Sequence, residues 1–448
     1  MLKLRLVRGS LFIIALITFI FLLLLPYRRL PRSPGIPMSS GRTILSNAVS
    51  LDSIATYFVD YPAASTASSE IGLWPTIETF ALSLFPFLRR PVGHRPLYSL
   101  LRRHERGTKG VVIPVGISSF RFACHLVGSI RNVLKSQIPI EIAYAGESDL
   151  PLAHRQFLSS LGSAIYLLDV TAYFDDSLVN FATGMWAIKP FAILASRFEQ
   201  AMLMDSDSVL LQKPETLFDG HGGFKKTGVL LFHDRLLFKN AFPARHEWWQ
   251  EQMKHSSPSS NFQTSRVHTE KYAEEGESGL VVVDKARLPV LMGLLHVAWQ
   301  NTEEVRTKVT YVMGYGDKES WWLAFELCNV PYTFESHYAA ILGELVNSGN
   351  VTRVCSFNIA HTDENDDLLW FNGSLLRNKA RNTTEFWVPE VWMLDGEWEK
   401  GRTKSMWSCM RSGVTLPVDE RTTWILHESV NEARRLDSAI IPSLIQLP

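Results

Sequence analysis

The stretch of this chain with the clearest chemical potential is MDSDSVLL, in which two acids interrupt an apolar segment. Asp205 and Asp207 stand one residue apart, between the apolar residues 201–204 and 209–211. A carboxylate that leaves water is costly unless it is paired or bound to a metal. The two acids therefore form either a solvated turn at the end of a strand or a cation-binding site.

Three chemistries use carboxylates at this spacing. An EF-hand loop needs glycine where Leu210 stands, which excludes it. A phosphatase of the haloacid dehalogenase type would use Asp205 as its nucleophile, but Trp321 replaces the second aspartate of its later GDxxxD motif. The DxD motif of metal-dependent glycosyltransferases holds Mn²⁺ or Mg²⁺, which bridges the two phosphates of a nucleotide-sugar. The phosphatase and the glycosyltransferase both stay open on this motif alone.

The elements around the two acids predict where they lie. Strands are predicted at 111–115, 138–146, 163–170 and 200–204, and helices at 121–134 and 184–198. Alternation of strands and helices implies an α/β fold with a mainly parallel sheet and right-handed crossovers. Ligands of such sheets bind beyond the carboxyl ends of the strands. The strand 200–204 ends at Asp205, so both acids are expected at that edge.

The later segments continue the pattern with one interruption. Strands are predicted at 228–235 and over GLVVVDK, and VTYVMGYGDKESWWLAFEL reads as a strand, a turn and a helix. Residues 251–276 are polar and without periodicity, which predicts a mobile loop.

The N-terminus predicts a membrane anchor. Basic residues precede the apolar run LFIIALITFIFLLLL, which Pro26 closes. About 17 residues at 1.5 Å per residue span roughly 26 Å, which suits a thin early-secretory bilayer. A cleaved signal peptide is the alternative, although no A-x-A site follows. We expect a cytosolic tail over 1–8, a transmembrane helix over 9–26 and a stem, rich in Pro, Ser and Gly near the membrane, over 27–108.

The remaining composition fits a lumenal globular domain. Lys and Arg number 45 and Asp and Glu 45 among 448 residues, so no electrostatic footprint for nucleic acid is present. N-x-[ST] sequons predict N-glycosylation of Asn350, Asn372 and Asn382. The four cysteines allow three two-disulfide pairings or none.

Several spaced motifs together resemble the fungal Golgi α-1,3-mannosyltransferases. They are IKPFAILASRFEQAMLMDSDSVLLQKPETLF, TGVLLFHDR, ESGLVVVDK, YGDKESWWLAFE and HTDENDDLLWFN, spread over roughly residues 110–375. The resemblance implies a GT-A-like catalytic domain over 109–400, with residues 401–448 packing on it as a C-terminal extension. It implies a single-pass type II protein of the Golgi membrane that transfers mannose from GDP-mannose to a mannose-terminated glycan. The new linkage is α-1,3, so the anomeric configuration is retained.

The resemblance also suggests which residues bind the donor and a divalent cation, Mn²⁺ before Mg²⁺. Asp205 and Asp207 match the metal ligands, and His361 stands where related enzymes place a third ligand from the C-terminal part of the domain. Lys189, before the DxD strand, would neutralise donor phosphate, although a solvated lysine at a helix start is the plainer interpretation. Ser206 is expected to contact the donor as well.

Three acids and one further lysine complete the predicted site. Glu277 and Asp317 are expected to contact mannose hydroxyls or stabilise an oxocarbenium-like centre, with Glu319 as a further catalytic candidate and Lys318 as a donor ligand. The plainer interpretation of acids at the start of a helix is that the helix dipole favours them. A non-catalytic sugar-binding relative with the same fold remains the alternative from another functional class.

Overall fold

The computed structural model describes residues 78–88, 95–254, 257–348, 351–403 and 405–444. In chain order the strands are β1 (Glu105–Pro114), β2 (Ile140–Tyr144), β3 (Ile165–Asp169), β4 (Phe198–Met204), β5 (Ser208–Leu210), β6 (Val229–His233), β7 (Gly276–Asp284), β8 (Thr333–Phe334), β9 (Ala340–Ser348), β10 (Val351–Thr362), β11 (Leu368–Asn372), β12 (Leu376–Asn378), β13 (Asn382–Phe386), β14 (Val391–Leu394), β15 (Glu397–Glu399), β16 (Ser408–Arg411) and β17 (Val414–Pro417).

The longer helices are α1 (Phe120–Gly128), α2 (Leu152–Ser160), α3 (Ile188–Ala195), α4 (Pro243–Met253), α5 (Leu288–Gln300), α6 (Lys318–Leu327) and α7 (Glu420–Leu444). Shorter helical segments include Pro96–Leu101, Asp176–Val179, Phe181–Gly184, Glu215–Asp219, Gly222–Thr227, Ser260–Thr264 and Arg266–Glu270.

The central sheet has seven strands in the order β3-β2-β1-β4-β7-β6-β8. Strand β7 runs antiparallel to both of its neighbours, and the other adjacent pairs are parallel. The prediction of an α/β fold with a mainly parallel central sheet is confirmed. The carboxyl ends of β1 and β4 lie at one edge of this sheet, because these two neighbours are parallel.

Both faces of the central sheet are covered, as its continuous apolar strands require. Along β4, Ala201 and Leu203 belong to one hydrophobic cluster, and Met202 and Met204 belong to the cluster on the other face. Helices α3, α5 and α6 contribute to the first cluster, and α1 and α7 contribute to the second. With both faces packed, the site for a ligand is the end of the strand.

A second sheet of eight strands follows the DxD turn and was not predicted. Its order is β15-β16-β10-β9-β14-β17, with β11 paired to β10 and to β5. All of its pairings are antiparallel. Since β5 starts at Ser208, the turn that carries the two acids leads directly from the first sheet into the second.

The boundary predicted between stem and domain is wrong. Phe85, Phe87 and Leu88 are buried in the first hydrophobic cluster, and the backbone N–H of Asp175 donates to the carbonyl oxygen of Phe87 at 2.8 Å. The folded domain therefore includes residues of the ranges 78–88 and 95–108, which the sequence assigned to a stem. The predicted tail 1–8 and anchor 9–26 lie outside the described residues.

Two segments have a local structure that the sequence did not predict. The polar stretch 251–276 contains two short helices, whose first turns are capped by the hydroxyls of Ser259 and Ser265. Residues of VTYVM form helical turns, Arg306–Thr310 and Tyr311–Met313, where a strand was predicted. Valine and tyrosine favour strands only weakly, and tertiary packing overrides that preference here.

The C-terminal helix α7 packs on α1. The carboxylate of Asp437 lies 2.5 Å from Arg121 Nη2 and 2.7 Å from His125 Nε2. Leu436 and Ile440 of α7 share a hydrophobic cluster with Val111 of β1. The last helix thus completes the core that the first strand begins.

One disulfide joins the two cysteines that face each other on β10 and β16. Cys355 and Cys409 are register partners in that strand pair, and their sulfurs are bonded. Cys124 and Cys328 are buried thiols outside the disulfide. Within the described chain, one helical stretch, Asp176–Ala195, is long and apolar enough to cross a membrane, and 61% of its apolar window is buried inside the domain. Such burial is typical of a core helix.

Candidate active site

A cavity of about 1040 Å³ lies at the carboxyl ends of β1 and β4 and is lined by both aspartates of the DxD motif. Lys189, Ser206, Glu277, Asp317 and Lys318 line the same cavity. The structure therefore brings together seven of the residues that the sequence predicted for the site. Two others, His361 and Glu319, are absent from its lining.

A tight turn presents the two aspartates to this cavity. The backbone N–H of Asp205 donates to Gly279 on β7 at 2.9 Å, and its carbonyl oxygen accepts from the N–H of Ser208 at 3.0 Å. Ser208 Oγ also donates to the Gly279 carbonyl, at 3.2 Å. These bonds fix the turn at both ends, and Ser206 lies between the acids, buried in the cavity wall.

Each aspartate is paired with a different lysine. Lys189 Nζ lies 2.8 Å from Asp205 Oδ1, and the Lys189 side chain is only 4% exposed. Asp207 pairs with Lys379, whose side chain is 38% exposed. Lys379 lines the cavity as well. Lys379 was not predicted from the sequence. Its position seven residues after the LLWFN motif is the signal that could have indicated it.

The donor set of this turn fits a divalent cation. Burial raises the pKa of Asp205 to about 7, and the charges of Asp207 and Asp317 add to the rise while Lys189 opposes it. Two carboxylates that repel each other and open onto a polar cavity create the negative potential that a cation relieves. Oxygen ligands of this kind suit Mg²⁺ and Mn²⁺.

The structure does not bring His361 to the two aspartates. The imidazole of His361 is 3% exposed, stacks on Trp370 with 4.4 Å between ring centroids, and meets the edge of Phe232. Burial lowers its pKa to about 4. In the part of the chain that the structure describes, no group of three or more His, Cys, Asp or Glu is arranged to hold a metal. His361 therefore lies in the core beside the cavity, and its role as a third metal ligand stays a prediction.

The carboxylate of Asp317 is buried, and both of its oxygens accept hydrogen bonds. Its Oδ1 accepts from Ser278 Oγ at 3.1 Å and lies 3.4 Å from Lys189 Nζ, while its Oδ2 accepts from Trp321 Nε1 at 2.9 Å. Lys189 Nζ also donates to the carbonyl oxygen and hydroxyl of Ser278, at 3.2 and 3.1 Å. Asp317 and Lys189 therefore belong to one hydrogen-bonded network behind Asp205.

Glu277 belongs to a second charged network in the same wall. Lys318 Nζ lies 2.8 Å from Glu277 Oε2 and 2.6 Å from Asp234 Oδ2. Glu277 Oε1 accepts from the backbone N–H of Gly279 at 2.9 Å. Burial alone would raise the pKa of Glu277, but the charge of Lys318 outweighs burial and lowers it. Burial alone would lower the pKa of Lys318, but the charges of Asp234 and Glu277 raise it. Both groups are therefore ionised at neutral pH.

Glu319 faces away from the cavity. Its Oε1 accepts from the backbone N–H groups of Glu275 and Gly276 at 2.9 and 3.1 Å, and its Oε2 accepts from Trp322 Nε1 at 2.7 Å. Burial, helped by the charge of Glu274, raises the pKa of Glu319 to about 8. The prediction of Glu319 as a catalytic acid is corrected to a structural role, because α6 turns its side chain toward the start of β7.

Residues 108–363 match the Mannosyl_trans3 model, which describes mannosyltransferases. This match covers more than half of the chain. The protein belongs to the mannosyltransferase family. The resemblance to the fungal α-1,3-mannosyltransferases is thereby confirmed at the level of the family, and the phosphatase alternative is set aside.

Two yeast proteins illustrate the relationship within the mannosyltransferase family. The chain is 27% identical over 303 residues to the α-1,3-mannosyltransferase MNT2 of Saccharomyces cerevisiae, covering 60% of this chain and 52% of MNT2. It is 26% identical over 293 residues to MNT3 of the same yeast, covering 57% of this chain and 45% of MNT3. The match thus spans about half the length of these curated relatives.

Solved structures of other glycosyltransferases are more distant from this mannosyltransferase family member. Core-mannan synthase A from Aspergillus fumigatus, in its Mn/GDP form, is 10% identical with a TM-score of 0.35, covering 56% of this chain and 79% of that one. Mouse xyloside xylosyltransferase 1 is 12% identical with a TM-score of 0.32, covering 51% and 84%. Both TM-scores lie below 0.5, so the fold is described from the strand order of this chain.

The three sequons of this mannosyltransferase family member differ in their surroundings. Asn372 lines the cavity, and its Nδ2 lies 3.4 Å from Glu277 Oε1. We therefore expect no glycan there, because the amide belongs to the wall of the site. Asn382 is exposed on β13, and Thr384 donates to its side-chain oxygen at 2.8 Å. Asn350 lies outside the described residues.

Proposed function

We propose that this protein transfers mannose from GDP-mannose to a mannose-terminated glycan, forming an α-1,3 linkage with retention. The observation that carries the proposal is the cavity at the carboxyl ends of β1 and β4, with Asp205 and Asp207 on a fixed turn in its wall. Membership of the mannosyltransferase family and the names of the curated relatives support the sugar and the linkage. The α/β sheet with the DxD turn after β4 supports a GT-A-like domain.

Asp205 and Asp207 would hold a divalent cation, Mn²⁺ or alternatively Mg²⁺, together with the donor diphosphate. Such a cation supplies Lewis-acid stabilisation of the charge on the leaving diphosphate. Lys379 reaches Asp207 from β12–β13 and is exposed enough to move its ammonium onto a phosphate. Ser206, between the two acids, offers a hydroxyl and a backbone N–H to the same group.

Lys189 and Lys318 balance the negative charge of the acidic wall of the cavity. Lys189 compensates Asp205 and Asp317, and Lys318 compensates Glu277 and Asp234. Carboxylates held in this way stabilise positive charge that develops on a sugar ring in the transition state. We assign this role to Glu277 and Asp317, whose oxygens are fixed by hydrogen bonds and line the cavity.

We also propose that the protein is a single-pass type II protein of the Golgi membrane with its catalytic domain in the lumen. The disulfide between Cys355 and Cys409 supports an oxidising compartment. The exposed sequon at Asn382 supports the same side of the membrane. The proposed anchor is the apolar segment 9–26.

The test uses the full chain, purified in mild detergent, with Mn²⁺, a panel of nucleotide-sugars and α-linked mannobiose as the acceptor. We expect transfer from GDP-mannose only, with α-1,3 linkage in the product by NMR. Asp205→Asn and Asp207→Asn should each lower kcat at least 100-fold, as should chelation. Asp219→Asn is the matched control, since Asp219 is exposed and paired with Lys109 far from the cavity.

Three outcomes would overturn the proposal in different ways. Binding of mannosides without transfer from any nucleotide-sugar would identify a sugar-binding relative. Transfer that is indifferent to chelation and to both substitutions would remove the metal from the mechanism. Phosphate release from simple esters without sugar transfer would identify a phosphatase.

A further inference from the structure

An aromatic pair lines the cavity and has no role in the networks described above. Trp186 and Tyr315 both line the cavity, with 5.4 Å between their ring centroids and 47° between their planes. Tyr315 is 57% exposed. Met185, which precedes Trp186 and also lines the cavity, is 71% exposed. Large apolar side chains so exposed at the edge of a polar cavity indicate a surface kept for a ligand.

The backbone holds these rings in place. Gly316, next to Tyr315, has φ of +66°, and a Cβ atom added to it would lie 2.8 Å from Cε3 of Trp186. The chain can therefore pass under the indole only because residue 316 is glycine. Met185 has φ of 46° and ψ of −101°, a strained conformation for a residue with a side chain. Strain of this kind is found mostly at functional sites.

Both rings belong to residues that are close in the chain to residues of the charged wall. Trp186 precedes Lys189 by three residues, and Tyr315 precedes Asp317 by two. Lys189 Nζ and Asp317 Oδ1 lie 3.4 Å apart. The same cavity is lined by Ser118, Ser119 and Asp149, which follow β1 and β2. The aromatic pair thus stands close in the chain to Lys189 and Asp317, in the part of the wall proposed to contact the transferred sugar.

We propose that Trp186 and Tyr315 form the acceptor subsite, where the terminal mannose of the glycan stacks on the aromatic pair. The inference rests on the proposed function and names how the acceptor is recognised. The C–H groups of a mannose ring carry a partial positive charge that is attracted to the negative face of an aromatic ring. In an α-mannoside the axial glycosidic oxygen shares the face of H3 and H5, so we expect the stacked contact along C4, C5 and C6, which leaves the equatorial 3-hydroxyl at the ring edge, free to approach the donor.

An exposed position suits the acceptor better than the donor. A glycan with several sugars extends into solvent and has to leave after each turnover, so its terminal ring is expected at the rim. The donor's diphosphate is expected at Asp205, Asp207 and Lys379, and its nucleoside over the end lined by Ser118, Ser119 and Asp149, which offer hydrogen-bonding groups. Stacking of guanine on Trp186 is the competing occupancy, and the kinetics below distinguish it.

The kinetic test compares Trp186→Leu and Tyr315→Leu with the unaltered full chain. Leucine keeps an apolar side chain but removes the ring. We expect the KM for α-linked mannobiose to rise at least 10-fold, while the KM for GDP-mannose and the slow hydrolysis of GDP-mannose without acceptor change less than twofold. Trp424→Leu is the control, since Trp424 is 56% exposed on α7 and does not line the cavity. A larger rise in the donor KM than in the acceptor KM would assign the rings to the nucleotide instead.

A binding measurement separates this inference from the proposed function. Saturation-transfer NMR of methyl α-mannoside on the full chain should give the strongest signals at H4, H5 and H6, and Trp186→Leu should abolish them. If the protein binds the mannoside in this way but transfers no mannose, the proposed function fails and the subsite stands. If it transfers mannose and both leucine variants keep the acceptor KM within twofold, the subsite is wrong.

A further variant and two measurements of folding separate the loss of acceptor binding from misfolding. Gly316→Ala leaves both rings in the sequence but displaces the indole, and it should raise the acceptor KM as the leucine variants do. Circular dichroism and the midpoint of thermal unfolding decide whether each variant is folded. A folded Gly316→Ala with unaltered acceptor KM would contradict the proposed placement of Trp186.

Discussion

The ammonium of Lys189 lies between the carboxylates of Asp205 and Asp317, at 2.8 Å from the first and 3.4 Å from the second. These two acids come from different elements, since Asp205 follows β4 and Asp317 precedes α6. One buried positive charge therefore joins the DxD turn to the helix that carries the neighbouring wall of the cavity. Lys189, which the sequence predicted as a donor ligand, thus has a structural role in this wall.

Removal of this charge should cost both stability and activity. Lys189→Met leaves Asp317 buried without its counter-charge, and loss of one partner of a buried ion pair costs about 3 kcal/mol or more. We expect the free energy of unfolding in urea to fall by roughly that amount and kcat to fall at least 100-fold. An unaltered free energy of unfolding would show that the buried contact between Lys189 and Asp317 does not contribute to stability.

Lys379→Met is the matched comparison, because Lys379 pairs with the other aspartate of the motif but is 38% exposed. Exposed ion pairs contribute about 0.5 kcal/mol, so the free energy of unfolding should hardly change. Its KM for GDP-mannose should nevertheless rise, since the ammonium is proposed to meet the donor phosphates. Equal losses of stability in the two lysine variants would contradict the difference in burial.

Lys285 should make the stability of the domain depend on pH. Its Nζ donates to the carbonyl oxygens of Ile193 and Ser196 at the end of α3, at 2.9 and 2.6 Å, and burial lowers its pKa from 10.5 to about 7. Between these values the unfolded chain binds a proton that the folded chain does not. The free energy of unfolding therefore rises with pH in this window, by up to about 1.4 kcal/mol per pH unit.

Lys285→Met should remove that contribution to the slope between pH 7 and 9. Urea unfolding at pH 6, 7.5 and 9 measures it, with Lys254→Met as the control because the Lys254 side chain is 60% exposed. Parallel stability curves for the wild type and Lys285→Met would show that the lysine stays charged when buried.

Asp437 should stabilise the docking of α7 except in acid. Burial alone would raise its pKa, but the hydrogen bonds from His125 and Arg121 bring it down to about 2. The stabilisation is complete above the ordinary pKa of 3.8 and is lost as the pH falls through about 2. Asp437→Asn should cost about 2 kcal/mol at pH 6 and much less at pH 2.5, by denaturant unfolding. A cost that is independent of pH would rule out the ion pair.

Glycan mapping should distinguish the sequons of a protein made in the secretory pathway. Release of N-glycans in ¹⁸O water marks each formerly glycosylated asparagine as labelled aspartate, which mass spectrometry locates. We expect the label at Asn382 and not at Asn372, because the Asn372 amide lies in the cavity wall beside Glu277. A labelled Asn372 would show that this wall is open to the glycosylation machinery before the domain folds.

The parts of the fold that could be predicted are those with a local signal. Strand β4 and the position of Asp205 followed from the apolar run and the rule that ligands bind at strand ends. His361 could not be placed, because its surroundings depend on the register of β10 against β11, which sets it opposite Trp370. Phe85 and Phe87 were assigned to a stem because short apolar segments among polar ones give no sign of a distant core.

Glu319 illustrates why the site was predicted only in part. The sequence GDKES places three charged residues in a row, and nothing local decides which of them face the cavity. The first turn of α6 directs Asp317 and Lys318 toward the cavity and Glu319 toward the backbone of β7. The place of Asn372 in the cavity wall could not be predicted, since it depends on the pairing of β11 with β5, which sets Asn372 opposite Ser208. Lys379 was missed because its contact with Asp207 joins residues far apart in the chain.

The hydrophobic cluster that α7 completes joins residues that are far apart in the chain. Val111 of β1 and Leu436 of α7 belong to the same cluster, so more than 300 further residues must be synthesised after β1 before this cluster is complete. Completion of this part of the core therefore waits for the synthesis of α7. A chain interrupted before α7 would leave part of the cluster exposed, which makes this helix a requirement for complete folding.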